Sequence, residues 1–289
     1  MLALVLPGLA YFVVFFYAPI AGYVIAFQDY LPFQGFSGAQ WVGWANFAAL
    51  FQDRAFWAAV RNTVVITVLQ LVFFFPAPIA LALVLHGILS PGIRKFVQSV
   101  VYLPHFISWV IVVAIWQQVL GGAGDLSHVV QAAGLPAPGV LTSPELFKWL
   151  VVAQIIWKET GWGTIIYLAA LASIDIGLYE AAAIDGAGRF RRLVHVTLPG
   201  ILDVTVVLLI LRLGQVLSVG FEQILLQRNA VGPEAGEVLD TYVYLNGVVG
   251  GQWGVSAAAG LIKGILGTAI VIAANKVAHR LGSGGVYSS

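Results

Sequence analysis

Six long apolar stretches constrain this chain more than any other feature, at about Leu2–Phe27, Asn62–Leu85, Val101–Leu120, Phe147–Ala170, Gly200–Phe221 and Trp253–Val277. Each reaches the roughly 18–20 residues that a helix needs to cross a bilayer. Backbone in hydrocarbon has no water to bond, so such stretches are expected to be helices that satisfy their own N–H and C=O groups. Composition excludes the alternative of a water-soluble globule: 60% of residues are hydrophobic and 9% are charged, where a soluble domain carries about 25% charged. The expectation is an all-α integral membrane protein with six transmembrane helices, residues 1–289 forming one domain. A cleavable signal peptide is the rival reading of the first stretch. It lacks a basic leading region, and its apolar run exceeds the usual ~7–15 residues.

Other classes drop out quickly. The net charge of +1 gives no basic field for nucleic acid. The absence of cysteine removes disulfide frameworks, thiol catalysis and cysteine–metal sites. His86, His105, His128, His195 and His279 are scattered with no metal-ligand spacing, so no metal is expected. Arg94 and Lys95, then Arg189, Arg191 and Arg192, then Lys276 and Arg280 crowd one set of connections. Arg54, Arg61, Lys148 and Arg228 are spread over the other, longer set. The dense set marks the cytoplasm, which places both termini and the 180–199 region inside.

That region, EAAAIDGAGRFRRLVHVTLP from Glu180 to Pro199, is a charged island between apolar runs. Gly186 and Gly188 divide it into two short helices. Ala181, Ala182, Ala183 and Ile184 give the first a small apolar face, and Phe190, Leu193 and Val194 recur at i, i+3 and i+4 on the second. Pro199 sits where a new helix can start. A solvated connection is the plain reading. Two amphipathic helices about a glycine hinge fit better in a groove on another protein.

The order Glu-Ala-Ala, Asp-Gly-Ala, Leu-Pro at this spacing resembles the EAA loop of bacterial ABC importer membrane subunits. FQDYLPF, WVGWANF, FPAPIALAL, YLPHFISWV, WGTIIYLAALASID, FEQILL, DTYVY and ANKVAHRLG extend the likeness over nearly the whole chain. They look like the carbohydrate branch, and within it the permeases for oligo- and polysaccharides, including the alginate importer. The resemblance implies the type I importer permease fold, a bacterial cytoplasmic (inner) membrane location and a cytoplasmic two-helix coupling loop at residues 172–199. It implies a second permease subunit, commonly a different chain, two ATPase subunits, a periplasmic or extracellular substrate-binding protein, membrane lipid and an oligosaccharide substrate. On the matched positions Glu180, Ala181 and Ala182 would begin the ATPase-coupling element, Asp185 and Gly186 form its hinge, Phe190 and Leu193 present the apolar contact, and Leu198 and Pro199 pass the push into the fifth span. The family usually has a basic lead-in before its first span, so a truncated or redefined start is expected here. The chain has no GxxxxGK[ST] frame, so no cofactor is expected in it. ATP would be bound by the partner ATPase subunits, and the chain itself is not expected to be an enzyme.

The remaining signals concern a pathway. Gln28–Arg61, with Trp41, Trp44, Trp57 and five phenylalanines, reads as an interfacial aromatic belt or as a platform for an outside partner. Phe75-Pro76-Ala77-Pro78 and Leu103-Pro104-His105 are expected to kink or interrupt their helices. Gly121–Pro144 reads as an outer loop with a short helix near Leu126–Ala133. Lys158, Glu159, Arg212, Gln215 and Lys263 lie in predicted spans, where charge costs a few kcal/mol or more. Lys158 or Lys263 paired with Glu159 would be structural. Arg212 and Lys263, beside Asn62 and Gln70, point instead to a hydrated translocation cavity. Trp157, Trp162 and Tyr167 offer stacking faces for sugar rings or ordinary packing. Leu239–Val248 suits a segment lying along the membrane or dipping into the pathway mouth, and GSGGVYSS reads as a flexible tail. The rival functions are an ion-coupled secondary transporter or channel, which predicts inverted repeats, and a membrane-embedded enzyme, which needs a cluster of acid or base groups. Neither pattern is visible.

Overall fold

A computed structural model of the chain describes residues 2–122, 124–133 and 139–280. The glycine- and proline-rich stretch at 134–138 and the tail at 282–289 lie outside them. In chain order the described elements are α1 (Val5–Phe27), strands β1 (Gln28–Asp29) and β2 (Gln40–Trp41), α2 (Ala45–Gln52), α3 (Arg54–His86), α4 (Pro91–Tyr102), α5 (Trp109–Leu120), α6 (Asp125–Ala132), α7 (Phe147–Ala172), α8 (Ile176–Ile184), α9 (Arg189–Gly200), α10 (Leu202–Gly214), α11 (Phe221–Gln227), α12 (Leu239–Val243) and α13 (Trp253–Arg280). Four helical stretches are long and apolar enough to cross a membrane: α1, α3, Trp109–Ala132 and α13. Two bent pairs, α7 with α8 at 66° and α9 with α10 at 57°, bring the number to as many as six when each pair is one span. Every predicted stretch overlaps one of these.

The described residues group into two compact units. In the first, residues 1–61 and 237–266, β1 and β2 pair antiparallel with Gln28 opposite Trp41. The Asn46 side-chain amide donates to the carbonyls of Ala26 and Gln28, at 3.0 Å each. Phe27 stacks on Trp41 with ring centres 5.7 Å apart and meets Phe47 at 5.2 Å. Tyr242 donates its hydroxyl proton to Asp53 at 2.6 Å, which fixes α12 beside the start of α3.

The second unit, residues 62–236 and 267–289, centres on a core of Ala82, Tyr167, Ala170, Leu171 and Ile201. Small residues let its helices approach closely, as expected where lipid gives no hydrophobic drive to association. Gly161 is the extreme case. A Cβ built there would stand 1.9 Å from the Val101 carbonyl oxygen, so α7 and α4 touch backbone to backbone. Gly161→Ala therefore has to push the two helices apart, and overpacking of this kind costs roughly 1–3 kcal/mol or more. Thermal unfolding of the purified protein in detergent should shift clearly downward. Gly8→Ala on α1, where the added Cβ meets nothing within 4 Å, should leave it unchanged.

Proline in these helices has a repeated solution. Val13–Tyr17 precedes Pro19, Gln70–Phe74 precedes Pro76, and Leu193–Thr197 precedes Pro199, each as one five-residue π-helical turn. The N–H just before the proline reaches back five residues: Ala18 to Val13, Phe75 to Gln70, Leu198 to Leu193. A widened turn gives the proline ring room where an α-turn would press it against the carbonyl four residues earlier. Two expectations change as a result. Pro76 and Pro78 do not interrupt α3, which runs unbroken from Arg54 to His86. Pro199 does not open a new helix; it lies within α9, and the break follows at Ile201, whose φ is −105° and ψ 4°. At Leu103-Pro104-His105 the interruption is real, a short 3₁₀ turn between α4 and α5.

Candidate functional site

The segment from Asp175 to Ile201 is shaped by its own caps. The Asp175 carboxylate accepts the Gly177 N–H at 2.9 Å, an N-cap for α8. At the other end Gly186 takes φ +73°. Its N–H bonds the Ala183 carbonyl at 3.1 Å, and the Ala187 N–H bonds Ala182 at 2.8 Å. This is the paired closure of a Schellman turn, whose left-handed residue favours glycine. α9 then begins at Arg189 and runs through its π-turn to Gly200.

The two helices turn apolar side chains outward. Ile184 is 87% exposed and Phe190 78% exposed. Glu180, Ala181, Asp185, Gly186, Leu198 and Pro199 are also exposed, whereas Ala182 and Leu193 are half-buried. Ile176 and Leu178 add exposed apolar surface on α8 that the sequence did not single out. The inner end of the segment is anchored. Ile201 is buried in the core with Tyr167 and Leu171, and a Cβ on Gly200 would lie 2.7 Å from Ile174 Cδ1.

The charged side chains within the spans have different surroundings. Lys158 is 6% exposed, and its ammonium donates to the His105 carbonyl at 2.7 Å and the Pro104 carbonyl at 3.4 Å. It also lies 3.5 Å from Glu159 and 5.5 Å from the centre of the Trp109 ring. Lys158 thus ties α7 to carbonyls of the 3₁₀ turn, which is the structural alternative. Glu159 keeps partial exposure and pairs with His105 at 2.7 Å, while the His105 ring stacks on Trp162 at 4.4 Å.

Lys263 forms an ion pair with Asp240 of α12 within the first unit, so an acid some twenty residues upstream compensates its charge. Arg212 instead donates to the amide oxygen of Gln70 and sits 5.2 Å from the Phe74 ring centre. A cavity of about 10 Å³, room for one water, is lined there by Thr67, Gln70, Leu71, Arg212, Gln215 and Val216. The Thr67 hydroxyl donates to the Val216 carbonyl and Gln70 Nε2 to Val219 at 3.3 Å. The π-turn at Gln70–Phe74 therefore supplies both the acceptor and the aromatic face that hold Arg212. Gln215 is exposed beside it.

Sequence reasoning missed the buried glutamines. Gln154 and Gln227 exchange a reciprocal amide pair at 2.9 Å in both directions, and Gln223 Nε2 donates to Gln154 at 2.8 Å. The i, i+4 spacing of Gln223 and Gln227 on one face of the short helix FEQILLQ was the available signal. Among the aromatics, Tyr167 is buried and packs the core. Trp157 meets Trp116 edge-on at 6.5 Å around an apolar groove, and Trp162 remains exposed. No group of three or more metal-ligating side chains occurs among the described residues.

The family model described as the inner membrane component of binding-protein-dependent transport systems matches residues 74–283. The chain belongs to that family. The polygalacturonan/rhamnogalacturonan transport system permease protein YteP of Bacillus subtilis (strain 168) is 46% identical, over 98% of this chain and 89% of YteP. A chain of a bacterial alginate ABC transporter, crystallised with an alginate pentasaccharide-bound periplasmic protein, superposes with a TM-score of 0.90. It is 38% identical and covers 98% of this chain and 95% of its own length. A second structure, of a bacterial ABC transporter involved in importing the acidic polysaccharide alginate, gives a TM-score of 0.89 at 39% identity, over 96% and 94%. The permease is an all-helical inner-membrane subunit of a carbohydrate ABC importer.

Proposed function

We propose that this permease forms half of the translocation pathway for an acidic oligosaccharide and is driven by separate ATPase subunits docked at residues 172–199. The observation that carries the coupling half is the shape of that segment. A Schellman turn presents exposed Ile184 and Phe190 on two short helices, and the inner end is buried in the core. Exposed apolar side chains outside a membrane call for a partner. Glu180, Ala181, Ala182, Asp185, Gly186, Phe190 and Leu193 would engage the ATPase, and Leu198 and Pro199 would carry its closure into α10. This reading takes residues 1–289 as one permease domain with six spans and both termini in the cytoplasm. ATP stays with the ATPases, and no cofactor is held here. A second permease chain and an outside binding protein complete the assembly, the latter meeting the aromatic surface around Trp41 and Trp44. Alternating access would proceed by rigid-body rocking.

For the pathway, Arg212, Gln215 and Glu159 are the polar groups offered to substrate, with Trp162 as a stacking face. Lys158 and Lys263 would act through the helices they hold. The acidic choice rests on Arg212, whose hydrogen-bond partner among the described residues is a neutral amide. It is supported by relatives that handle polygalacturonan and alginate.

The test is co-purification of the reconstituted complex. Phe190→Asp places a charge where an apolar contact is proposed and should strip the ATPase subunits from the permease, while the permease itself elutes unchanged. An ATPase retained at wild-type stoichiometry, with wild-type hydrolysis, would remove the coupling reading.

A further inference from the structure

We infer that a pair of hydroxyls, Tyr179 and Thr197, sets the angle at which the coupling segment meets α10 and acts as a positioning latch for coupling. Tyr179 lies on α8 and Thr197 in the π-turn of α9, and their oxygens are 3.0 Å apart. Thr197 is buried, and its hydroxyl points at the Arg192 carbonyl at 3.4 Å. A threonine has one hydroxyl proton. If it goes to Arg192, Tyr179 must donate to Thr197. The result is a directed chain from Tyr179 on the first coupling helix to Thr197 at the end of the π-turn, and on to the Arg192 carbonyl just before that turn.

Position gives this chain its consequence. The Schellman turn leaves α8 and α9 joined by a short glycine-containing connection, which by itself is a swivel. A π-turn is also a local departure from α-helical bonding. A push on Ile184 or Phe190 would be absorbed by either element unless they were cross-braced. Two contacts supply the brace: the Tyr179–Thr197 bond, and Ile174 pressed on Gly200. Ile201, one residue on, is locked in the core. Braced in this way, α8, α9 and the start of α10 move as one lever.

The inference rests on the coupling reading, and its test separates the two. The chain has no cysteine, so spin labels on Arg191→Cys, exposed on α9, and Leu211→Cys report the lever directly in the assembled complex. Pulsed electron resonance should give a narrow distance distribution. Tyr179→Phe or Thr197→Val should broaden it, the double variant no further than either single, and Thr197→Ser should keep it narrow. The functional arm is oligogalacturonide imported per ATP hydrolysed in proteoliposomes. Each single variant should lower that ratio by roughly two- to tenfold, the range a single hydrogen bond supplies. A purely structural role would lower both rates together and leave the ratio alone. Unchanged distance widths, or additive losses in the double variant, would overturn the latch. If Phe190→Asp keeps its ATPase while Tyr179→Phe still broadens the distances, the brace is real and the coupling reading is what fails.

Discussion

Gly186→Pro should abolish binding-protein-stimulated ATP hydrolysis in the reconstituted complex while the permease still folds and inserts. Gly186 holds φ +73° and donates its N–H to Ala183. Proline is confined to φ near −65° and has no N–H, so it can supply neither. The α8–α9 connection must then adopt another path, and Phe190 leaves the position it holds relative to Ile184. Folding should be spared because a Cβ at Gly186 meets nothing within 4 Å. Gly186→Ala is the graded control. It keeps the N–H and incurs only the left-handed penalty of about 1–2 kcal/mol, so stimulation should fall in part. Equal behaviour of the alanine and proline variants would show that the turn's conformation is not what matters.

The contrast between Lys263 and Arg212 shows where sequence stops being legible. Hydropathy marks the long apolar helices because a crossing segment needs a minimum length, and each of the six stretches overlaps a candidate span or a bent pair. The turn at Gly186 was equally plain, since a left-handed residue must be paid for unless it is glycine. Tertiary pairing carries no such local mark. Asp240 falls in the Leu239–Val248 segment, and its partnership with Lys263 depends on how α12 lies beside α13. The same holds for Lys158, whose partners are backbone carbonyls of a 3₁₀ turn. Proline is legible only in part: it forbids the α-turn but does not specify the response, which at Pro76 is a widened turn within a continuous helix. Tyr179 and Thr197 were invisible because a hydroxyl pair between two helices needs the angle between them, which no spacing gives.

Arg212→Gln should reduce transport of an oligogalacturonide far more than that of a neutral oligosaccharide of equal length. Lys158 lies against Glu159 and two carbonyls, and Lys263 against Asp240. Arg212 bonds the neutral Gln70 amide and faces the Phe74 ring. A guanidinium held by one amide keeps further N–H donors for a ligand, and a carboxylate meeting it in bidentate geometry gains a charge-assisted bond that a sugar hydroxyl cannot match. Such a bond contributes about 1.5–3 kcal/mol, or roughly ten- to a hundredfold in the acidic substrate's rate relative to the neutral one. Glutamine removes the charge and keeps an amide N–H donor of shorter reach, and binding-protein-stimulated hydrolysis should remain measurable. Equal losses for acidic and neutral substrates would assign Arg212 to packing between α3 and α10. A loss confined to the acidic one would place the guanidinium in contact with uronate.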